Sequence, residues 1–207
     1  LNGSTQIVGD RLQLTPNSQE QRASVFRSEK VNIERFSSQF LMQINPANSN
    51  AGDGMTFVIH GALPTAIGTS GAGLGYGSRP FDDTPGIPNS LAIKFDIAPN
   101  QGEGFSSTGQ FLNGATPTTP AIDLSRSGIT LASGRPMLVT VTYDGATLSV
   151  QIQDQITGAF ASQSYPNIDI ESIVGGNTAY LGFTAATGSA TAQHDVLRWV
   201  HTPLLLP

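Results

Sequence analysis

Leu138-Val139-Thr140-Val141-Thr142-Tyr143-Asp144-Gly145-Ala146-Thr147-Leu148-Ser149-Val150-Gln151-Ile152-Gln153 reads as two strands about one tight corner. Val139, Val141 and Tyr143 fall on one face of the first run, and Leu148, Val150 and Ile152 on one face of the second. Thr, Ser and Gln take most of the opposite faces, the period-two signature of a half-buried strand. Asp144-Gly145 between the runs supplies the turn chemistry of a hairpin. A sheet with one apolar face must bury it against another layer, so the hairpin predicts a second packed sheet.

Working outward, similar short β-rich runs recur at Gln6 to Val8, Arg11 to Thr15, Ser38 to Ile44, Met55 to Ile59, Leu91 to Ile97 and Ala179 to Thr184, with Gly-, Asp-, Asn- and Pro-containing turns between them. The only helical expectation is one short piece at Ile168 to Ile173. The fold class is therefore all-β, an antiparallel β-sandwich. At 207 residues, with 38% apolar residues, ten Phe and one Trp, the chain suits one large sandwich with one core. Residues 1–201 read as this single domain, and Thr202 to Pro207 as a C-terminal tail or linker.

Charged residues make up only 12% of the chain, and the formal net charge is -5. No Lys/Arg cluster offers a footprint for nucleic acid or an anionic bilayer. No apolar run approaches the roughly 18 residues of a spanning helix, so membrane insertion is not expected. Cysteine is absent, so no disulfide is required. The Gly/Thr/Ser-rich, Lys-poor composition fits an exported module, and the expected location is extracellular or at a cell surface.

Five stretches in order carry a resemblance. They are Gly52-Asp53-Gly54-Met55-Thr56-Phe57-Val58-Ile59; Ser70-Gly71-Ala72-Gly73-Leu74-Gly75-Tyr76; Leu91-Ala92-Ile93-Lys94-Phe95-Asp96 followed by Asn100; Val141-Thr142-Tyr143-Asp144-Gly145; and Tyr180-Leu181-Gly182-Phe183-Thr184-Ala185-Ala186-Thr187-Gly188 leading to His194-Asp195-Val196-Leu197-Arg198-Trp199. Together they resemble the legume-lectin-like (L-type lectin) family, with its jelly-roll, concanavalin A-like sandwich. The resemblance implies a carbohydrate-binding module, calcium-supported and without catalytic activity, whose partner is a glycan or polysaccharide. It also implies a possible homodimer or a place in a larger multidomain protein.

Carried over residue by residue, the resemblance implies that Asp53 follows a cis peptide and accepts sugar hydroxyls through its carboxylate, a strong charged acceptor. A backbone N–H of the glycine loop, at Gly71 or Gly73, would donate to the sugar. Asn100 would both ligate calcium and donate to the sugar. Asp96, the Ala98 carbonyl, Asn100 and Glu103 would be the calcium ligands, all hard oxygen donors. Ser189 lies in the Thr187 to Gln193 segment that corresponds to the variable specificity loop.

This chain also departs from the family. Lys94 stands where the legume proteins have a Glu that binds a transition metal, and Gly109 and Gln110 lie where a His would be, so no transition metal is expected. The Lys94 ammonium is a candidate substitute, paired with Asp96. Ala98 takes the position of the usual stacking aromatic, leaving Phe105, Tyr76 or Phe81 as possible replacements. His194-Asp195 resembles a catalytic pair but lacks a nucleophile context. Two other functions stay open. One is a structural or adhesion module with a degenerate sugar site. The other is a glycoside hydrolase, which needs two carboxyls about 5–9 Å apart, whereas the best strand here offers Lys94 beside Asp96.

Overall fold

In the computed structural model, which describes residues 1–46, 48–79 and 82–204, the opening hairpin forms β11 (Met137–Tyr143) and β12 (Leu148–Asp154). Val139 faces Ile152, Val141 faces Val150 and Tyr143 faces Leu148, and these six side chains are buried. Asp144 closes the corner by accepting the Ala146 and Thr147 amides at 2.9 and 2.7 Å. Gly145 takes φ +97°, a conformation side chains disfavour.

The hairpin lies in a seven-stranded sheet, ordered β13 (Phe160–Tyr165), β12, β11, β6 (Phe36–Pro46), β15 (Ala192–Pro203), β3 (Arg11–Thr15) and β2 (Gln6–Val8). The facing eight-stranded sheet runs β1 (Asn2–Gly3), β4 (Arg22–Phe26), β14 (Thr178–Ala186), β7 (Gly54–His60), β8 (Ser90–Asp96), β9 (Ser107–Leu112) and β10 (Ile122–Asp123), with β5 (Val31–Asn32) also paired to β14. All recorded pairings are antiparallel. The expected β-sandwich is therefore the fold. β15 pairs Thr202 with Ser37 and Pro203 with Phe36, so paired sheet runs two residues past the boundary expected at His201. Residues 205–207 of the expected tail lie outside the described residues.

Aromatic rings fill the space between the sheets. Phe40 of the seven-stranded sheet meets Phe57 at 5.5 Å, Phe95 at 5.8 Å and Phe183 at 4.9 Å between ring centres. Such offset and edge-on contacts add to the stabilisation from burial. The short helix α1 (Ile170–Val174) begins at Asp169, whose carboxylate accepts the Ser172 amide, and ends at Gly175 with φ +83°.

β7 and β8 are buried along their whole length. Leu91, Ile93 and Phe95 point into the sandwich, whereas Val58 and Ala92 pack outward against Tyr76, Ile87 and Phe111. The segment carrying the glycine loop thus lies across the outer face of this sheet as a partial third layer. Polar residues on that face, including Thr56, Lys94 and Asp96, are consequently sealed from solvent and must find partners inside the protein.

Candidate functional site

Asp53 sits where β7 begins, after a cis Gly52–Asp53 peptide. Its amide donates to the Ala186 carbonyl at 3.0 Å, and its carbonyl accepts from Ile97 at 2.9 Å. The ends of β14 and β8 therefore hold it from both sides. Gly54 follows because a Cβ there would lie 2.5 Å from the Phe95 carbonyl oxygen.

Asp53 is 7% exposed, and its carboxyl Oδ2 has no hydrogen-bond partner. Burial pushes its pKa up to about 6, against the pull of the Gly188 amide and Arg79, with Glu20 adding to the rise. A buried acceptor without a donor is costly, and a neutral hydroxyl is a donor that would relieve it.

Around Asp53 the glycine loop forms a short 3-10 turn, Gly71–Gly73. The Gly71 amide donates to the Thr187 carbonyl at 3.1 Å, and that of Gly73 to Ser70 at 3.2 Å. Both amides expected to be sugar donors are thus engaged by backbone carbonyls, that of Gly73 within the loop and that of Gly71 across to the opposing segment. The opposing segment is fastened to residues 18–21: Thr187 Oγ1 donates to the Ser18 carbonyl at 2.6 Å, the Glu20 amide to Gly188 O at 3.0 Å and Gln19 Nε2 to Ser189 O at 2.8 Å. Ser189 itself is exposed, and Gly188 is buried against Asp53. A Cβ on Gly188 would lie 3.2 Å from Asp53 Oδ2 and 3.3 Å from the Gly71 Cα.

The structure brings together Asp53, the glycine loop, Gly188, Arg79 and Glu20. Ser70 links the last two, accepting from Arg79 through its carbonyl at 3.2 Å and donating its hydroxyl to Glu20 at 3.0 Å. Arg79, Glu20 and Gly188 were missed by sequence reasoning. Scarcity of charge was the one available signal, since each charged side chain in a 12% charged chain asks for a reason.

The residues assigned to calcium are arranged differently. Asp96 Oδ1 accepts the Ala98 amide at 2.9 Å, and Oδ2 faces Lys94 Nζ at 3.3 Å. Lys94 Nζ also bonds Glu103 Oε2 and donates to the Thr118 carbonyl at 2.6 Å. The Ala98 carbonyl accepts the Asn100 amide at 3.0 Å, and Asn100 is exposed. Burial pushes the Asp96 pKa up to about 7, with Lys94 and the Ala98 amide opposing the rise.

Among the described residues no three His, Asp or Glu side chains converge as a metal-binding group would. These residues do not fit the calcium ion that the family resemblance implies: an ammonium already lies between the two carboxylates, which are buried, whereas Asn100 is exposed.

The possible replacement aromatics also separate. Tyr76 is fully buried, its hydroxyl bonded to Ser90 at 2.9 Å and Phe111 O at 3.2 Å, so it cannot stack on a ligand. Phe105 is exposed and lines a groove of about 570 Å³ with Ala51, Ile97, Asp123 and Ile129. Phe81 lies outside the described residues. His194 and Asp195 turn to different partners, Thr15 Oγ1 at 2.6 Å and Arg11 at 3.1 Å, on the sheet opposite Asp53.

The legume lectin domain profile matches residues 1–202. Favin from Vicia faba is 28% identical over 180 residues, covering 84% of this chain and 73% of its own length. L-type lectin-domain containing receptor kinase I.7 from Arabidopsis thaliana is 26% identical over 219 residues, covering 96% of this chain. The chain spans only 32% of that kinase's length. A lectin from Bauhinia forficata in complex with GalNAc shares the fold with a TM-score of 0.78 at 18% identity, over 98% of this chain and 91% of the other. With a matching profile across nearly its whole length and the sandwich that goes with it, the chain belongs to the legume lectin domain family.

Proposed function

We propose that this domain binds a glycan at Asp53 and performs no chemistry on it. The observation that carries the reading is the buried Asp53 carboxylate with an unpartnered Oδ2. Vicinal sugar hydroxyls are the donors such an acceptor takes, each bond strengthened by the charge. Arg79, Ser70 and Glu20 supply a polar rim for a neutral polyhydroxylated ligand. Family membership points the same way, and the Bauhinia lectin that shares this fold is in complex with GalNAc. The receptor-kinase relatives favour an extracellular or cell-surface setting and a larger parent protein. Self-association into a homodimer is a further proposal.

Absence of catalysis is supported by the chemistry beside Asp96, where the neighbouring side chain on the same strand face is a cation and not a second acid. A second function, a structural or adhesion module with a closed sugar site, is favoured by one observation: the Gly71 and Gly73 amides are engaged and Gly188 lies on Asp53.

A glycan array probed with the wild-type domain and with Asp53→Asn separates the two. The lectin reading expects binding to at least one glycan class and its loss in the variant. No binding by the wild type would favour the structural module. A reducing-sugar assay on a polysaccharide panel should stay at background.

A further inference from the structure

We propose that the Lys94 ammonium takes the place of calcium in this domain, so that the loop beside Asp53 is assembled without any metal. The inference rests on the glycan reading only for what the loop is for, since the geometry stands by itself. An ammonium has three donor hydrogens and no acceptor. Lys94 Nζ is offered three oxygens: Asp96 Oδ2 at 3.3 Å, Thr118 O at 2.6 Å and Glu103 Oε2. The Phe111 ring lies 5.5 Å from the nitrogen, close enough for its face to attract the charge. Lys94 and its two carboxylate partners have no exposed side-chain surface. A lysine buried this completely must be paired or it is destabilising.

These three oxygens come from separate pieces of chain. Asp96 ends β8, Glu103 belongs to the loop after it, and Thr118 belongs to the segment between β9 and β10. One cation thus ties strand, loop and covering segment together, as a metal bound through hard oxygen ligands would. The clamp reaches the candidate site through two short links. Asp96 Oδ1 holds the Ala98 amide, and the adjoining Ile97 amide holds the Asp53 carbonyl. Lys94 is therefore a positioning residue that touches no ligand. A tethered cation also cannot be lost to dilution or chelators, as a bound ion can.

The test begins with the wild-type domain stripped by chelator. Thermal midpoint, and glycan binding where the array supplies a ligand, are followed with and without millimolar calcium or manganese. The inference expects both to stay unchanged. Lys94→Met strands two buried carboxylates and is expected to lower the midpoint by about 10 °C. Lys94→Glu gathers three carboxylates and is expected to become cation-dependent, regaining midpoint on addition of calcium or manganese, a response that a purely space-filling lysine would not leave behind.

A wild-type midpoint raised several degrees by calcium overturns the inference. So does glycan binding that disappears in chelator, which leaves the glycan reading intact. Absence of glycan binding under both conditions, with a cation-insensitive midpoint, supports the clamp while removing the glycan reading. Should either variant fail to fold, the wild-type measurements still decide.

Discussion

Asp53→Asn should make the domain more stable at neutral pH while removing its ligand affinity. The wild-type carboxyl has its pKa raised from 3.8 to about 6 in the fold. A carboxyl whose folded pKa exceeds its unfolded value favours the folded state fully below the unfolded pKa. That contribution is lost as pH rises through the folded pKa. Over the roughly two units between about 4 and 6 the wild type therefore loses about 3 kcal/mol at this one site. Asparagine cannot ionise and does not share the loss. It does place an amide where Oδ2 was, and leaving that group unpaired costs about 1 kcal/mol at any pH. Urea unfolding of both proteins at pH 4 and pH 7 isolates the effect, because the constant cost cancels. The stability difference between variant and wild type should shift by about 2 kcal/mol in the variant's favour from pH 4 to pH 7, part of the loss having already occurred at pH 4. An equal difference at both pH values would refute the claim that Asp53 is held desolvated and short of donors. The physical meaning is a binding site that costs stability when empty.

Other substitutions probe the parts separately. Gly188→Ala, whose Cβ would press on Asp53 Oδ2 at 3.2 Å, should weaken glycan binding at least about tenfold with the thermal midpoint nearly unchanged, as binding and melting curves will show. Phe40→Ala removes the ring that touches Phe57, Phe95 and Phe183 and should cost about 3–5 kcal/mol in urea unfolding. His194 is fully enclosed, and burial holds its pKa down at about 3. Its neutral form therefore stabilises the fold above about 6.5, and that contribution fades as pH falls toward 3. His194→Gln should accordingly flatten the acid limb of the stability profile measured by urea midpoint between those values.

Much of the sandwich was legible because its strands carry period-two patterns. Gln6–Val8 and Arg11–Thr15 appear with the expected boundaries. β13 was not anticipated because Phe160 to Tyr165 alternates only between half-buried and exposed positions, so no strongly apolar face marks it. The partial third layer was invisible for another reason. Strands buried on both faces usually read as continuous apolar runs, but Thr56, Lys94 and Asp96 interrupt β7 and β8. They are tolerated because each finds a partner: Thr56 bonds Thr184 at 2.7 Å, and Lys94 finds Asp96, Glu103 and the Thr118 carbonyl.

At the site, Asp53 and the oddity of Lys94 could be read from motif positions. The rest could not, since Thr118 acts through its backbone carbonyl, for which any residue type serves, and the Thr187 hydroxyl takes its partners from the distant residues 18–21. Gly188 matters only because residues 18–21 pull its segment over Asp53.

A crystal structure of the domain with the strongest glycan from the array, grown in the presence of chelator, tests the central claim most directly. The account predicts a sugar ring with hydroxyls within hydrogen-bond distance of Asp53 Oδ2, Gly188 displaced enough to admit it, and Lys94 still between Asp96 and Glu103. A glycan seated only in the Phe105 groove, with Asp53 covered as it is here, would contradict it.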